Sequence, residues 1–239
     1  MNRGWSCYTG AVVENPIVVI DYGAGNLRSV ARALAHVGES PIVSADWATI
    51  DRAAGVVLPG VGAAQDTMEN LRANRLVEPL KEYIAAGRPF LGVCMGLQAL
   101  FDRSEENDQE CMGVLPGVIR RFPAGNLKVP HMGWNTVDWV RDHPVTDGIA
   151  TGSYFYFVHS FYPDPVDPSI ALGLTEYGVT FPSIVARENV VATQFHPEKS
   201  GDSGLRLYAN FVRWARSGGE AALAGAAQST IASRPSNIR

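Results

Sequence analysis

Two short stretches hold the residues best suited to covalent chemistry. In the first, Gly92, Val93, Cys94, Met95 and Gly96 form a G-x-C-x-G pattern directly after the apolar residues Pro89, Phe90 and Leu91. In the second, His196 and Glu198 stand two positions apart in QFHPEKSG, at the end of the apolar run VVATQF. A strand that turns sharply into a helix at Cys94 sets the thiol beside the first unpaired N–H groups of that helix, whose partial positive charge favours the thiolate. The flanking glycines let neighbouring chain pass close to the turn. The N–H of Met95 can then donate to the oxyanion formed when the sulfur attacks a carbonyl. Taken alone, the same five residues fit a buried structural cysteine equally well.

A cysteine nucleophile needs a base, and the chain has five histidines: His36, His131, His143, His159 and His196. His36 lies within a helical pattern and His143 precedes Pro144 in a loop, so both are expected at the surface. Pro197 biases His196 towards extended backbone, in which residues two apart share a face. Glu198 can therefore orient the imidazole. H-P-E by itself is also an ordinary solvated turn, and its pairing with the cysteine is what changes the reading. Cys94, His196 and Glu198 then supply nucleophile, base and orienter. A further donor site is LPGVG (Leu58 to Gly62), which ends an earlier strand and opens backbone N–H groups at the same sheet edge. An ordinary β-turn has the same composition.

These residues must be carried by a scaffold, and the pattern of elements predicts one. IVVI, PIVS, GVVL and the run before Cys94 read as short strands. Between them lie helical patterns: Leu27, Val30, Leu34 and Val37 after a capping Asn26 and before Gly38, and LVEPLKEYIAAG ending at Gly87. Strand–helix alternation through residue 103 predicts a parallel sheet with helices on both faces. After it come the strand-like GVLPGVIRRF, YFYFVHSFY, SIALGLTEYG and FPSIVARENVVATQF, with Glu188 and Asn189 as a turn between antiparallel strands. A last helix is expected over 203–216, with Leu205, Tyr208, Phe211 and Ala215 on one face. Residues 1–15 read as an N-terminal extension, 16–216 as one domain and 217–239 as an Ala/Gly/Ser-rich tail.

Composition narrows the class. A chain of 239 residues, 46% apolar, can build one substantial core. A net charge of −4 gives no nucleic-acid footprint. No apolar run approaches the roughly 18 residues of a membrane helix, and the N-terminus lacks the apolar core of a secretory signal. Three widely spaced cysteines (Cys7, Cys94, Cys111) form no CxxC pair, which argues against a disulfide framework and a structural zinc site. A cytoplasmic, reducing compartment is the expectation.

Six segments in this order, DYGAGNLRSV, LPGVGA, GRPFLGVCMGLQALF, PHMGWN, YFYFVHSFY and ATQFHPEKSG, resemble the class I (triad) glutamine amidotransferases. Within them they are similar to the glutaminase subunits of imidazole glycerol phosphate synthase, of histidine biosynthesis. The resemblance covers about residues 16–215. It implies an α/β, flavodoxin-like fold with a mostly parallel central sheet and added antiparallel strands in the C-terminal half. It implies hydrolysis of L-glutamine by Cys94, His196 and Glu198, with no cofactor and no metal. Gly60, Val61 and Gly62 would form the oxyanion strand, with Met95 as the second donor. Gln98, Ser160 and Phe161 would hold the glutamine, the last two through backbone atoms at its amino-acid end. The partner implied is a TIM-barrel cyclase subunit in a heterodimer, receiving ammonia through a tunnel, with Asn26 and Trp134 as interface residues. In such proteins the glutaminase is nearly idle until the loaded cyclase docks, and reorientation of a peptide in PGVG is one physical basis for that. Many relatives have Tyr at the position of Phe161.

Other readings compete. YGAGNLR invites a nucleotide-phosphate interpretation, but Arg28 stands where the third glycine is expected. A glutaminase serving another synthase, and a non-catalytic binding subunit with an elbow cysteine, are the remaining alternatives. Trp134 would also read as a plain core aromatic.

Overall fold

IVVI, GVVL, FLGV and VVAT are apolar or small at every position but Thr193, a pattern suited to strands covered on both faces. In the computed structural model, which describes residues 15–125 and 127–219, all four are fully buried strands: β1 (Ile17–Ile20), β3 (Gly55–Leu58), β4 (Phe90–Val93) and β13 (Val190–Thr193). With β2 (Ile42–Ser44) they form five parallel strands in the order β2-β1-β3-β4-β13. Alternate residues serve opposite faces. Ile17 and Val19 join one core with Val30 and Leu34 of helix α1 (Leu27–His36) and with Tyr208 and Phe211 of helix α6 (Gly201–Arg216). Val18 and Ile20 join the other, with Met68 of α3 (Ala64–Ala73) and Leu80 of α4 (Val77–Ala85). A one-turn helix, α2 (Trp47–Ile50), is capped by the Asp46 side chain on the Thr49 N–H at 3.0 Å.

Beyond β13 the sheet continues antiparallel through β12 (Thr180–Arg187), β11 (Ala171–Glu176), β8 (His131–Trp139) and β9 (Ser153–His159), nine strands in all. Glu188 and Asn189 make the expected turn between β12 and β13, with Glu188 at φ +52°. β9 alternates as a half-solvated strand should: Phe155, Phe157 and His159 are buried, whereas Tyr154 faces outward. A separate four-stranded sheet holds β10 (Phe161–Pro165), β7 (Leu115–Arg121), β5 (Phe101–Ser104) and β6 (Gln109–Glu110). Among the described residues no helix is long and apolar enough to cross a membrane.

Several expectations need correction. The helix after Cys94, α5, is only Met95–Gln98, and Leu100 and Phe101 leave it. Their carbonyls accept from the N–H groups of Val114, Leu115 and Gly113 at 2.8–2.9 Å, which commits the chain to β5. α6 begins two residues before its expected start, and its Leu205 is only half-buried. Asn26 occupies the N-cap position of α1, but its side chain makes no capping bond. His143 is buried, not exposed: its Nδ1 accepts the Val145 N–H at 3.2 Å and its ring packs edge-on against Trp214. The expected extension and tail lie almost wholly outside the described residues, as does Cys7.

Candidate active site

Cys94, the His196–Glu198 pair and the Gly60–Gly62 segment follow the carboxyl ends of β4, β13 and β3, where open α/β sheets place their ligands. Cys94 follows β4 with φ +54° and ψ −105°, a backbone region costly for any residue with a Cβ. The turn is held in place from both sides. The Cys94 N–H donates to the Thr193 carbonyl of β13 at 2.7 Å, and the Cys94 carbonyl accepts from the Leu97 and Gln98 N–H groups at 2.9 and 3.1 Å. Close approach explains the glycines. A Cβ on Gly96 would lie 1.9 Å from the Leu58 carbonyl oxygen, and one on Gly92 would lie 2.7 Å from the Gly96 carbonyl oxygen. Gly60 serves the same contact, since a Cβ there would stand 2.4 Å from the Met95 Cβ.

His196 follows β13 in extended backbone, and Pro197–Lys199 then make a 3₁₀ turn. Glu198 therefore reaches the ring from a helical turn, a correction to the extended strand that the sequence pattern predicts. His196 Nδ1 and Glu198 Oε1 are 2.8 Å apart, both side chains essentially inaccessible to solvent. Glu198 is fixed further by the Asn26 Nδ2–H at 3.0 Å and the Tyr208 hydroxyl at 3.4 Å. Burial alone would raise the Glu198 carboxyl, but the His196 ring and the Asn26 amide hold it below its usual range. Burial likewise opposes charge on His196. The Cys94 sulfur and the Glu198 carboxylate outweigh it and lift the imidazole to about 10. The ring is thus held protonated, ready to act as an acid.

Cys94 and His196 share a cavity of about 250 Å³ with Val61, Gly62, Met95, Gln98, Ser160 and Phe161. That volume falls below the roughly 300–1,000 Å³ of sites for drug-sized ligands and matches the scale of one amino acid. Among the described residues, two buried atoms of its walls, His196 Nε2 and Gln98 Oε1, have no hydrogen-bond partner. Buried polar groups are seldom left unpaired, so a donor and an acceptor position await a ligand there. Gly60 supports α5 and does not line the cavity. Asn26 and Trp134 also lie off it.

The Phe161 carbonyl is already occupied. It accepts the His159 Nδ1–H at 2.7 Å and the Gln98 Nε2–H at 3.3 Å, which uses both lone pairs. Sequence reasoning missed the polar residues behind this wall. Gln98 Nε2 also donates to Gln194 Oε1 at 3.1 Å, and Gln194 Nε2 lies 3.7 Å from the Cys94 sulfur. His159 Nε2 pairs with His131 Nδ1 at 3.0 Å. Burial pushes His159 down to about 3 and His131 to about 4, so the pair is neutral. Glu106 was missed too; its Oε2 accepts the Ala64 N–H at 2.7 Å at the rim.

On the far strands an apolar patch faces out. Trp134 is 56% exposed, with Met132 beside it on β8 and Tyr154 on β9 also well exposed. Trp134 is therefore not a core aromatic.

With this geometry in view, likeness to known proteins becomes decisive. The family model described as Glutamine amidotransferase class-I matches residues 18–214. The chain belongs to the class-I glutamine amidotransferases. It is 51% identical over 205 residues to the imidazole glycerol phosphate synthase subunit HisH of Herpetosiphon aurantiacus, covering 85% of this chain and 96% of that one. It is 48% identical over 200 residues to the HisH subunit of Dehalococcoides mccartyi, covering 83% and 97%. Among solved structures, PurLQS from Thermotoga maritima superposes with a TM-score of 0.67 at 19% identity, covering 84% of this chain and 99% of that one. A glutamine amidotransferase from the same organism gives a TM-score of 0.54, also at 19% identity, covering 84% and 83%. At that identity the structures speak for the fold alone. The flavodoxin-like α/β reading and the glutamine amidotransferase activity both hold.

Proposed function

We propose that the chain is the glutaminase half of an imidazole glycerol phosphate synthase, hydrolysing L-glutamine at Cys94 and passing the ammonia to a cyclase partner. The observation that carries the reading is the meeting of a strained elbow cysteine and a buried His196–Glu198 pair on one cavity of amino-acid size. The Cys94 thiolate attacks the side-chain amide carbon of glutamine, and the new oxyanion is met by the Met95 N–H and a backbone N–H of the Gly60–Gly62 segment. His196 gives its proton to the departing ammonia, leaving a γ-glutamyl thioester. It then takes a proton from the water that hydrolyses the thioester to glutamate, freeing the thiolate. Glu198 keeps Nδ1 occupied so that Nε2 faces the reaction. Gln98 offers Oε1 to a substrate N–H. Ser160 and Phe161 flank the amino-acid end, with the Phe161 carbonyl acting through Gln98.

The cyclase-facing surface in this reading is the Met132, Trp134 and Tyr154 patch, a type of aromatic anchor common at the centre of interfaces. Asn26, which holds Glu198 from the half-buried start of α1, is the second interface residue in this reading. Reorientation of a peptide in Gly60–Gly62 on docking is sterically cheap at Gly62, where φ is +97° and the space around a Cβ is open. The cytoplasm is the proposed compartment. The test is glutamate release from glutamine by the chain alone, then with the cyclase and its nucleotide added, with Cys94→Ala as blank. Strong stimulation, absent in the variant, is the expected result. Full activity in the isolated chain would remove the gated oxyanion strand, and no turnover under either condition would remove the partner assignment.

A further inference from the structure

Gln194 touches the nucleophile yet has no part in the scheme above. Its orientation can be deduced from one fixed point. The Phe161 carbonyl can only accept, so the Gln98 atom 3.3 Å from it must be the amide nitrogen. That nitrogen has a second hydrogen, which goes to Gln194 at 3.1 Å and therefore meets its oxygen. The remaining Gln194 atom, Nε2, is thus the one that faces the Cys94 sulfur at 3.7 Å. Turning the Gln194 amide over would set NH₂ against NH₂ and oxygen against sulfur, so the network permits one orientation. His159 holds the fixed point from its other side with a donor at 2.7 Å. Gln194 is inaccessible to solvent, and its own N–H is tied to the Ser183 carbonyl at 2.8 Å. Exchange with water does not compete with these contacts.

We propose that Gln194 is a positioning residue for glutamine hydrolysis, donating through Nε2 to the Cys94 sulfur so that the thiolate is stabilised and aimed at the substrate carbonyl. The inference rests on Cys94 being the glutaminase nucleophile. Gln98 becomes part of the same device. Because both its N–H bonds are spent on the network, its unpartnered Oε1 is the only polar atom it can offer the substrate. A hydrogen bond to a charged group favours that charge state. Its loss should therefore be visible in the nucleophile before any substrate binds.

The test is alkylation of Cys94 by iodoacetamide as a function of pH in the full-length chain, with the labelled peptide identified by mass and Cys94→Ala as the blank. In Gln194→Met, which keeps length but donates nothing, the midpoint of the rate curve should move up by about one pH unit, and labelling at pH 7 should slow about 10-fold. In Gln194→Glu, whose oxygen would face the sulfur, the shift should be larger. Gln98→Leu, which frees Gln194 to turn, should give a smaller shift in the same direction. Thermal midpoints measured alongside separate positioning from folding. A drop in midpoint with an unmoved alkylation curve in the variants that fold would overturn the proposal. Failure of the unsubstituted chain to label at Cys94 would instead sink the nucleophile reading, and this inference with it.

Discussion

Replacing Gly96 with alanine is the sharpest test of how the elbow is built. An added Cβ would stand 1.9 Å from the Leu58 carbonyl oxygen and 3.0 Å from the Leu58 carbonyl carbon. Both are backbone atoms of the central strand β3, so no rotamer change can relieve the contact. Real Cβ atoms essentially never come within 3.0 Å of another heavy atom, so α5 and β3 must separate by about 1 Å, a misplacement that can cost on the order of 100-fold in rate when it reaches a reacting group. β3 is hydrogen-bonded between β1 and β4, which leaves α5, and Cys94 with it, as the part that gives way. Overpacking of this kind costs about 1–3 kcal/mol in stability. Urea denaturation of the isolated chain reads the second quantity, and glutamate release with the loaded cyclase reads the first. We expect Gly96→Ala to lose about 100-fold in kcat with a stability loss of about 2 kcal/mol. Gly38→Ala, after α1 and away from the site, is the control, because there the space is open and only the positive φ is strained, for about 1 kcal/mol. A Gly96→Ala protein with unchanged stability and rate would refute the account of the elbow as a close-packed backbone crossing.

Three further outcomes follow from the same geometry. Asn26→Ala removes one donor to Glu198, whereas Asn26→Asp sets a second carboxylate against it; kcat at pH 8 should fall by about 10-fold in the first and more in the second, and equal rates would dismiss the contact. Burial depresses His131 and His143 to about 4 and His159 to about 3, so the unfolded chain binds more protons than the folded one below pH 6.5. Their share of stability is complete above 6.5 and is lost as the pH falls, by up to about 2 kcal/mol per ring at pH 5. His196, raised to about 10, runs the other way and stabilises below 6.5, losing that share as the pH climbs towards 10. Urea midpoints that do not change between pH 7 and 5 would contradict the buried neutral rings. Trp134→Ala should weaken cyclase binding by at least about 30-fold while leaving the isolated chain within about 0.5 kcal/mol of its stability, as titration calorimetry and denaturation would read.

What could be read from the sequence was local. The G-x-C-x-G turn and the Glu188–Asn189 hairpin each depend on neighbours a few residues apart, and each appears where it was expected, whereas the H-P-E segment was expected in extended backbone and is a 3₁₀ turn. The apolar tetrads β1, β3 and β4 likewise announced a parallel sheet covered on both faces, whereas VVAT read only as one arm of an antiparallel hairpin and also extends that sheet in parallel beside β4. The misreadings involve distant partners. Asn26 has the type and position of a helix cap, but a carboxylate 172 residues away wins its amide. Gln194 gave no signal because the residues that orient it lie 96 and 100 positions earlier. His143 looked exposed beside a proline, and only the packing of α6 encloses it. α5 stops short because Leu100 and Phe101 surrender their carbonyls to residues 113–115, a competition invisible in the apolar spacing.

The place of β13 has a consequence for how the protein is made. This strand lies at the middle of the nine-stranded sheet, yet it is the last of the thirteen described strands along the chain. Until it emerges, β4 is an open apolar edge, the Cys94 N–H lacks the Thr193 carbonyl, and the acid that serves the thiol has not been synthesised. A nascent or truncated chain ending before Val190 therefore cannot hydrolyse glutamine. Its hazard is different: the unpaired edge of β4 offers itself to strands of other chains. Arrival of β13 closes that edge and assembles the chemistry in the same event, so a chain that stops short of it carries an exposed strand edge and not a half-built hydrolase.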